Sequence, residues 1–344
     1  MAEVKELYFN VSGEHQTLPY AEIKAILEAN GFPYKNTMLR PRFLCIESNP
    51  DCLKSVVDRS SLTKACGIVI LRCTTSKEGI VSAIKEIDYN KFIRGGQTYS
   101  IETIILTTKK LEINLQNTIG KEITKQIPDI KANLKNPDIS FMCILFEDVF
   151  ILGIKIRETS RIFLRRKLNQ QPFIHPSAMK PKLARLIVNL ARTKIGDLVL
   201  DPFCGTGSIL AEAGSIGCRI LGSDINIQMI RGTMRNLNYS GIMWDGLVAS
   251  EAGQLPFDKV NHIVTDPPYG RTSSTHGLST KEIVMDFLIE ALRIIPKGGY
   301  ISIVLPDTLN MTEISKEIGY TNIESHLLRE HKSLTREISV LLNS

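Results

Sequence analysis

The alternation of short apolar strands with helical segments in the second half of the chain constrains the fold more than any other feature. Strands are indicated at Asp197–Asp201, Arg219–Asp224, Gly246–Ser250, Val260–Asp266 and Tyr300–Leu305. Helices are indicated between them at Ser208–Gly217, Asn226–Tyr239 and Thr280–Ile295. This order predicts a parallel sheet with helices on both faces. Two consecutive strands, Ile323–Leu328 and Glu337–Leu342, then predict an antiparallel hairpin at the edge of a seven-stranded, mostly parallel sheet.

The first half of the chain has the mixed order of elements that is typical of an α+β fold. Strands are predicted at Glu6–Val11, Phe43–Glu47, Gly67–Arg72, Tyr99–Leu106, Ile139–Phe146 and Val149–Ile156. Helices are predicted at Pro19–Asn30, Cys52–Ser60, Lys77–Ile87 and Lys110–Gln126. The basic segment Arg157–Pro176 separates the two halves, and we expect the main domain boundary there.

Bulk properties exclude several classes of protein. The longest apolar stretch, Phe141–Ile154, contains two acidic residues and is too short to cross a bilayer. Met1–Asn10 carries acidic residues in place of the basic and apolar parts of a signal peptide, so we expect a cytoplasmic protein. The seven cysteines form no Cys-x-x-Cys pair and no zinc-ligand pattern, which predicts reduced thiols and no metal site.

The excess of positive charge lies entirely in the first half of the chain. Residues 1–171 hold 25 Lys and Arg against 19 Asp and Glu, whereas residues 172–344 hold 17 of each. An asymmetry of this kind points to a polyanionic partner, although a well-solvated surface would produce the same count.

Three acidic residues follow three successive strands of the predicted parallel sheet. The first strand ends at Asp201 and leads into the Gly-rich turn Asp201–Gly207, whose glycines permit close approach to a ligand. A dinucleotide-binding turn would need a third glycine where Leu210 stands, and Asp201 would repel a pyrophosphate. The carboxylate suits a cationic ligand instead, such as the ammonium and sulfonium of S-adenosylmethionine.

The next two strands supply the remaining acids of this pattern. Asp224 ends the second strand, where a carboxylate accepts both hydroxyls of a ribose. Glu251 follows the third strand, where a carboxylate accepts an adenine amino group. Each acid alone is more often a cap or turn residue. Because the carboxyl ends of parallel strands meet at one edge of the sheet, the three together favour a nucleoside cofactor.

The fourth strand ends in a motif suited to a weakly nucleophilic amine. Asp266 and the carbonyl of Pro267 could accept the two N–H groups of an exocyclic base amine and orient its lone pair. Asp266 could also accept the proton released by the product. Tyr269 offers an aromatic face on which a base stacks. A rigid turn with an exposed tyrosine is the structural alternative.

The motifs Asp201–Gly207 (DPFCGTG) and Asp266–Gly270 (DPPYG) resemble those of the Rossmann-like class I amino-methyltransferases. The resemblance implies that Asp266, Pro267 and Tyr269 form the catalytic amine site. It also implies that Phe173–Arg185 precedes the first strand, so that His175 borders the methionine part of S-adenosylmethionine. The implied cofactor-binding residues are His175, Asp201, Pro202, Phe203, Gly205, Thr206, Gly207, Asp224, Ile225, Glu251, Ala252 and Asp266. The implied RNA-contacting residues are Pro268, Gly270, Arg271, Arg161, Arg165 and Arg166.

The segments Tyr99–Leu106 and Leu134–Ile156 resemble a THUMP domain, a tRNA-binding module, beside a ferredoxin-like domain. The implied arrangement is a ferredoxin-like domain over 1–73, a THUMP domain over 74–157, a basic linker over 158–174 and a methyltransferase domain over 175–344. As a whole the chain resembles the archaeal tRNA (guanine(10)-N2)-methyltransferase family, which adds one or two methyl groups to the same nitrogen. The resemblance implies tRNA and a small activator protein as partners, with a monomeric enzyme expected. Glu251 departs from the family pattern, in which Asp is more usual.

Other functions share parts of this pattern. A THUMP methyltransferase acting on an acceptor-stem guanosine is close to the favoured interpretation. A DNA adenine- or cytosine-amino methyltransferase shares the Asp-Pro-Pro-Tyr motif but has no THUMP segment. Protein-glutamine methyltransferases have Asn where Asp266 stands, and thiouridine synthetases need an ATP-binding loop that this sequence lacks. A catalytically inactive RNA-binding module would not need intact acids at 201, 224 and 266.

The arginines of the basic segment yield a first prediction. Either Arg161, Arg165 and Arg166 contact phosphates, or they form a solvated face. If they contact phosphates, replacing all three with Ala flattens the salt dependence of tRNA binding by about one slope unit per lost contact. Filter binding across a range of salt concentrations measures this slope. A slope that stays at the wild-type value would reject the phosphate contacts.

Overall fold

The computed structural model describes residues 3–108, 113–158, 170–268, 279–331 and 334–344. Contacts divide the chain into two units that do not follow a single cut. The first unit comprises Met1–Ser12, Pro33–Val57 and Thr63–Thr159, and the second comprises Gly13–Phe32, Asp58–Leu62 and Ser160–Ser344. This division differs from the predicted boundaries, because two segments within the predicted 1–73 domain belong to the second unit.

The first unit is built on one eight-stranded sheet with the order β2-β3-β1-β4-β8-β7-β5-β6. Its helices are α2 (Cys52–Arg59), α3 (Lys77–Lys85), a 3₁₀ turn (Tyr89–Lys91) and α4 (Leu115–Gln126). Its strands are β1 (Lys5–Val11), β2 (Tyr34–Arg40), β3 (Phe43–Ser48), β4 (Thr63–Thr74), β5 (Thr98–Ile105), β6 (Lys131–Ala132), β7 (Ile139–Leu145) and β8 (Val149–Glu158). The segments predicted as two separate domains, 1–73 and 74–157, thus contribute to a single sheet in which β4 and β8 are antiparallel neighbours.

A buried tyrosine lies against β4 and β8 in the core of the first unit. Tyr8 is fully buried and stacks on Phe43 with ring centroids 5.9 Å apart. A Cβ at Gly67 would lie 2.7 Å from the Tyr8 ring, and a Cβ at Gly153 would lie equally close. Both strands therefore need glycine where they pass over this ring.

The second unit contains a seven-stranded sheet with the order β11-β10-β9-β12-β13-β15-β14. Its strands are β9 (Leu198–Asp201), β10 (Arg219–Asp224), β11 (Gly246–Ala249), β12 (His262–Thr265), β13 (Tyr300–Pro306), β14 (Thr321–His331) and β15 (Leu334–Leu342). Its helices are α1 (Leu18–Ala29), α5 (Pro181–Leu190), α6 (Ser208–Ser215), α7 (Ile227–Tyr239), α8 (Thr280–Ile294) and α9 (Met311–Ile318). Strands β9 to β13 are parallel, and β15 is antiparallel to both of its neighbours.

Alternating residues of the central strands enter hydrophobic cores on opposite faces of this sheet. Val199 packs in one core and Leu200 in the other, and the pair Val264 and Ile263 repeats this alternation on β12. Helices α5 and α6 contribute to the first core, and α8 and α9 contribute to the second. The predicted seven-stranded sheet covered on both faces, with an antiparallel hairpin, is thus confirmed.

A helix from the N-terminal half of the sequence packs within the second unit through a buried carboxylate. Glu22 of α1 is fully buried. It accepts hydrogen bonds from the backbone N–H groups of Ser61 and Leu62, from the hydroxyls of Ser60 and Ser61, and from the Asn189 amide, over distances of 2.7–2.9 Å. The carboxylate therefore connects α1 to the segment 58–62 and to α5.

The sequence patterns located most elements but missed strands β2 and β6, the 3₁₀ turn, and helices α5 and α9. Strand β2 has mostly exposed or half-buried side chains, so it lacks the alternation that identifies a strand. Helix α4 was predicted from Lys110, but in the structure it begins after Asn114, whose side chain accepts a hydrogen bond from the Asn117 N–H. Residues 110–112 of that prediction lie outside the described residues.

Two properties follow from the described ranges. No helix among these residues is both long and apolar enough to cross a membrane. Within the same ranges, no group of His, Cys, Asp and Glu side chains is arranged to hold a metal ion.

The Glu22 network predicts a large loss of stability on truncation. We expect Glu22→Ala to lower the free energy of unfolding of the second unit by about 3 kcal/mol or more, because buried N–H and O–H donors lose their acceptor. Trp244, the only tryptophan, lies in the second unit, so its fluorescence during denaturant unfolding reports this unit. Glu317→Ala, at an exposed position of α9, is the matched control and should change the unfolding free energy by less than about 0.5 kcal/mol. Equal effects of the two substitutions would contradict the proposed anchoring role.

Candidate functional site

A cavity of about 950 Å³ opens at the carboxyl edge of the parallel strands in the second unit. Residues that end or follow β9, β10, β11 and β12 line it, together with the segment before α5 and side chains of α7, α8 and β15. Volumes of about 300–1,000 Å³ are typical of sites for small molecules and cofactors. The sheet therefore brings the predicted acidic residues to one cavity, as expected from their places at strand ends.

Asp201 is the most deeply buried acid of this cavity. Its side chain ends β9 with only 1% exposure. Its Oδ1 accepts hydrogen bonds from the Phe203 N–H at 3.2 Å and from the Thr265 hydroxyl at 2.7 Å. Burial raises the pKa of Asp201 to about 7; these hydrogen bonds lower the pKa, whereas the charges of Asp266 and Asp224 raise it further. Asp201 therefore titrates near neutral pH.

Helix α7 holds the Gly-rich turn that follows Asp201. The glycines at 205 and 207 have φ of +52° and +80°, a region that other residues rarely adopt. The Thr233 hydroxyl donates to the Gly205 carbonyl at 2.8 Å. The Asn236 amide donates to the Thr206 and Phe173 carbonyls, each at 3.0 Å, and its oxygen accepts from the Phe173 N–H. One helix thus fixes both the turn and the segment that leads to His175.

Asp224 ends β10, and its side chain accepts a hydrogen bond from the Gly-rich turn. Its Oδ2 accepts from the Gly205 N–H at 3.0 Å, and its Oδ1 accepts from the Asn226 N–H at 2.9 Å. Burial raises the pKa of Asp224, while the two backbone hydrogen bonds and the nearby His175 charge lower it. Because each carboxylate oxygen accepts about two hydrogen bonds, both oxygens retain capacity for ligand hydroxyls.

Asp266 lies beyond the end of β12 and contacts a basic residue from the hairpin. Asp266, Pro267 and Pro268 all line the cavity, as does Arg336 of β15. The Arg336 Nη1 lies 3.1 Å from the Asp266 Oδ2, and both side chains are largely buried. The predicted amine-binding acid is thus half of an ion pair.

The cavity contains every described residue of the predicted cofactor set except Gly207. Gly207 lies behind the lining, where a Cβ would meet Thr233 at 2.8 Å. Glu251 and Ala252 line the cavity, with Glu251 exposed at the surface. The predicted residues Tyr269, Gly270, Arg271, Arg161, Arg165 and Arg166 lie outside the described residues.

Several cavity residues were missed by reasoning from the sequence. Arg336 is separated from Asp266 by 70 positions. Asp286 and Ile283 come from α8, and Met229 comes from α7. None of these residues belongs to a local motif, so no pattern in the sequence identified them. Helical spacing alone indicates that Ile283 and Asp286 share a face of α8, but not that this face meets the cavity.

The raised pKa of Asp201 predicts a stability that depends on pH. Because the pKa is raised by folding, the cost of ionising Asp201 is absent below about pH 3.8 and complete above about pH 7. Asp201→Asn keeps the Oδ1 acceptor and removes the charge. We expect it to raise the Tm by about 4 °C or more at pH 8, with a smaller gain at pH 5.

Calorimetry at the two pH values measures this difference, and Asp258→Asn, at an exposed site, is the control. A gain in Tm that is the same at pH 5 and pH 8 would contradict the ionisation of a buried Asp201.

Comparison with protein families supports the assignment of this cavity to a methyltransferase. Residues 169–336 match the family described as RMKL-like, methyltransferase domain. Residues 72–235 match a DNA methylase family, and this match ends before Asp266. The match over 169–336 includes the Gly-rich turn, Asp266 and Arg336.

Solved structures share the fold at low sequence identity. TrmN from Thermus thermophilus superposes with a TM-score of 0.54 over 98% of this chain and 99% of its own, at 19% identity. The methyltransferase SMU.472, solved with SAH, superposes with a TM-score of 0.52 over 100% and 99%, at 16% identity. At these identities the likeness establishes the fold alone.

Full-length relatives establish the family. The tRNA (guanine(10)-N2)-dimethyltransferase of Methanothermobacter thermautotrophicus is 33% identical over 98% of this chain and 99% of its own length. The enzyme of the same name from Methanocaldococcus jannaschii is 31% identical over 96% and 97%. A tRNA (guanine(6)-N2)-methyltransferase of Thermus thermophilus is 28% identical, over 51% and 52%. The chain therefore belongs to the family of the archaeal tRNA (guanine(10)-N2)-dimethyltransferases.

Proposed function

We propose that this protein transfers a methyl group from S-adenosylmethionine to the exocyclic N2 of guanosine 10 in tRNA. The observation that carries the proposal is the convergence of Asp201, Asp224 and Asp266, from the ends of three parallel strands, on one cavity. The names of the full-length relatives supply the nucleotide position.

The cavity fits S-adenosylmethionine in its charges and in its backbone. Asp201 offers a buried anion for the ammonium end, whose positive charge would offset the cost of ionising this carboxyl. Asp224 would accept the ribose hydroxyls, and Glu251 with Ala252 would contact the adenine. The positive φ of Gly205 lets the backbone pass close to the ligand, and a Cβ there would project into the space beside the turn. When bound, the cofactor supplies an electrophilic methyl group.

The residues after β12 would hold the acceptor amine. The lone pair of the guanine N2 is delocalised into the ring, so the amine is a weak nucleophile that needs orientation. Asp266 would accept one N–H of the amine and Pro267 would accept the other through its carbonyl. Asp266 would then take the proton that the methylated nitrogen releases. Tyr269, outside the described residues, remains the candidate for stacking on the guanine.

The first unit is the candidate for binding the rest of the tRNA. We propose that it contains the THUMP domain predicted over 74–157 and, apart from residues 13–32 and 58–62, the ferredoxin-like domain predicted over 1–73. Both predicted domains contribute strands to one sheet. The segments of the first unit hold 19 Lys and Arg against 15 Asp and Glu, and this excess supports a polyanionic partner. The activator protein and the monomeric state stay predictions from the sequence.

A second candidate is methylation of a guanosine in the acceptor stem. The partial match to the tRNA (guanine(6)-N2)-methyltransferase favours it, because that enzyme shares the chemistry at a different nucleotide. The DNA methylase match favours amino-methylation of DNA, but it stops at residue 235 and so includes no part of the amine site.

Methylation of defined transcripts tests the function. We expect the full chain with labelled S-adenosylmethionine to methylate an unmodified tRNA transcript, and nuclease digestion with mass spectrometry to locate the label on guanosine 10. The mass of the modified nucleoside counts the methyl groups. A matched transcript with inosine at position 10 lacks only the N2 amine, so it should accept no label.

Two outcomes would contradict the proposal. Label on the inosine transcript would place the methyl group elsewhere, and label at position 6 would favour the second candidate.

Asp266→Ala should lower the rate by at least about 100-fold while cofactor binding persists, because the amine loses its acceptor.

A further inference from the structure

The ion pair between Arg336 and Asp266 joins two parts of the chain that approach only in the folded sheet. Arg336 is the third residue of β15, where it pairs with Pro306 at the end of β13. Its side chain is 14% exposed and that of Asp266 is 19% exposed. The Nη1–Oδ2 distance of 3.1 Å is that of a hydrogen-bonded ion pair. Both residues line the cavity.

Asp266 shares the cavity with four other acidic side chains. The described titratable and charged groups that line the cavity with it are His175, Lys180, Asp201, Cys204, Asp224, Glu251, Asp286 and Arg336. Lys180 is exposed, whereas Asp201 is buried and lies close enough for its pKa to respond to the charge of Asp266. Like charges disfavour ionisation, and the adjacent guanidinium favours it. The ion pair with Arg336 thus favours the ionised form of Asp266.

The chemistry proposed for this site needs Asp266 as an anion. A protonated carboxyl accepts N–H donors weakly and cannot take the proton of the product. An ion pair with arginine makes a carboxylate less basic, but this does not slow the reaction, because a methylated, positively charged aryl amine is a strong acid. Charge and orientation of Asp266 therefore matter more than its basicity.

We infer that Arg336 is a positioning residue that holds Asp266 ionised and oriented toward the acceptor amine. A carboxylate accepts several hydrogen bonds at once, so contact with Nη1 is compatible with accepting an N–H of the guanine. The contact from Nη1 to Oδ2 also limits the rotation of the carboxylate, and the compact ammonium of a lysine would meet that oxygen with a different geometry. This inference rests on the proposed amino-methyltransferase function.

The rate of methyl transfer as a function of pH tests the inference. Single-turnover rates of the full chain on the tRNA transcript would be measured from pH 4.5 to pH 9, with enzyme and S-adenosylmethionine saturating. In Arg336→Gln we expect the acid limb of the profile to move to higher pH by about one to three units, because Asp266 loses the charge of Arg336. The loss of rate relative to wild type should therefore be largest at the acid end of this range and smaller toward pH 9.

Two variants separate this role from a structural one. Arg329→Gln removes an exposed arginine from β14 of the same hairpin, outside the cavity lining, and should keep the wild-type profile. Arg336→Lys keeps the positive charge, so its acid limb should stay within about half a pH unit of wild type while its rate falls by the same factor at every pH. Arg336→Lys also keeps the inference testable if Arg336→Gln does not fold, as judged by Trp244 fluorescence.

Each result decides between defined alternatives. An acid limb of Arg336→Gln that coincides with wild type would overturn the inference, whether or not the rate falls uniformly. A shifted limb in Arg336→Lys would overturn it as well. A wild-type protein that does not methylate tRNA would refute the proposed function itself, so the two failures are distinguishable.

Discussion

Several carboxylates must be held together at the edge of one sheet, and this constraint governs the second unit. Strands β9, β10 and β12 are parallel neighbours, so Asp201, Asp224 and Asp266 necessarily meet where these strands end. The protein offsets their repulsion with neutral donors at Asp201 and Asp224 and with a cation at Asp266. Only Asp266, the residue proposed to receive a proton, is paired with an arginine among these three in the described residues. Asp201 keeps a raised pKa and is thereby suited to a cationic ligand.

Rigid support of the turn is the second requirement of such a site. Thr233 and Asn236 of α7 hold the Gly-rich turn through its carbonyl oxygens, so the protein itself supports the turn. Asn236 also bonds to the backbone of Phe173, so one side chain links the segment before α5 to the turn. Preorganisation of this kind lowers the cost of binding, because little reorganisation accompanies it.

Local patterns in the sequence predicted the parts of the site that local physics determines. A short apolar run followed by Asp and a Gly-rich or Pro-rich turn identifies a strand end, which is why Asp201, Asp224 and Asp266 were found. Asn236, Arg336 and Glu22 were not found, since each acts through partners 30 to 167 positions away. The same reason explains α1: its apolar face predicts a helix, but nothing in it indicates that it packs on α5. The chain passes between the two units five times, whereas the sequence analysis predicted one main boundary in a single linker.

The antiparallel strand explains how a basic residue reaches an edge made of acidic strand ends. In a purely parallel sheet, only the carboxyl ends of strands and the loops after them meet the cavity. Strand β15 runs the other way, so its first residues lie beside the last residues of β13, with Arg336 opposite Pro306. Because β15 runs in the opposite direction, its first residues lie at the carboxyl edge of the parallel strands. These residues belong to a hydrogen-bonded strand and not to a loop. A guanidinium held by such a ladder is fixed more firmly than one on a loop, which suits a residue whose task is to orient a carboxylate.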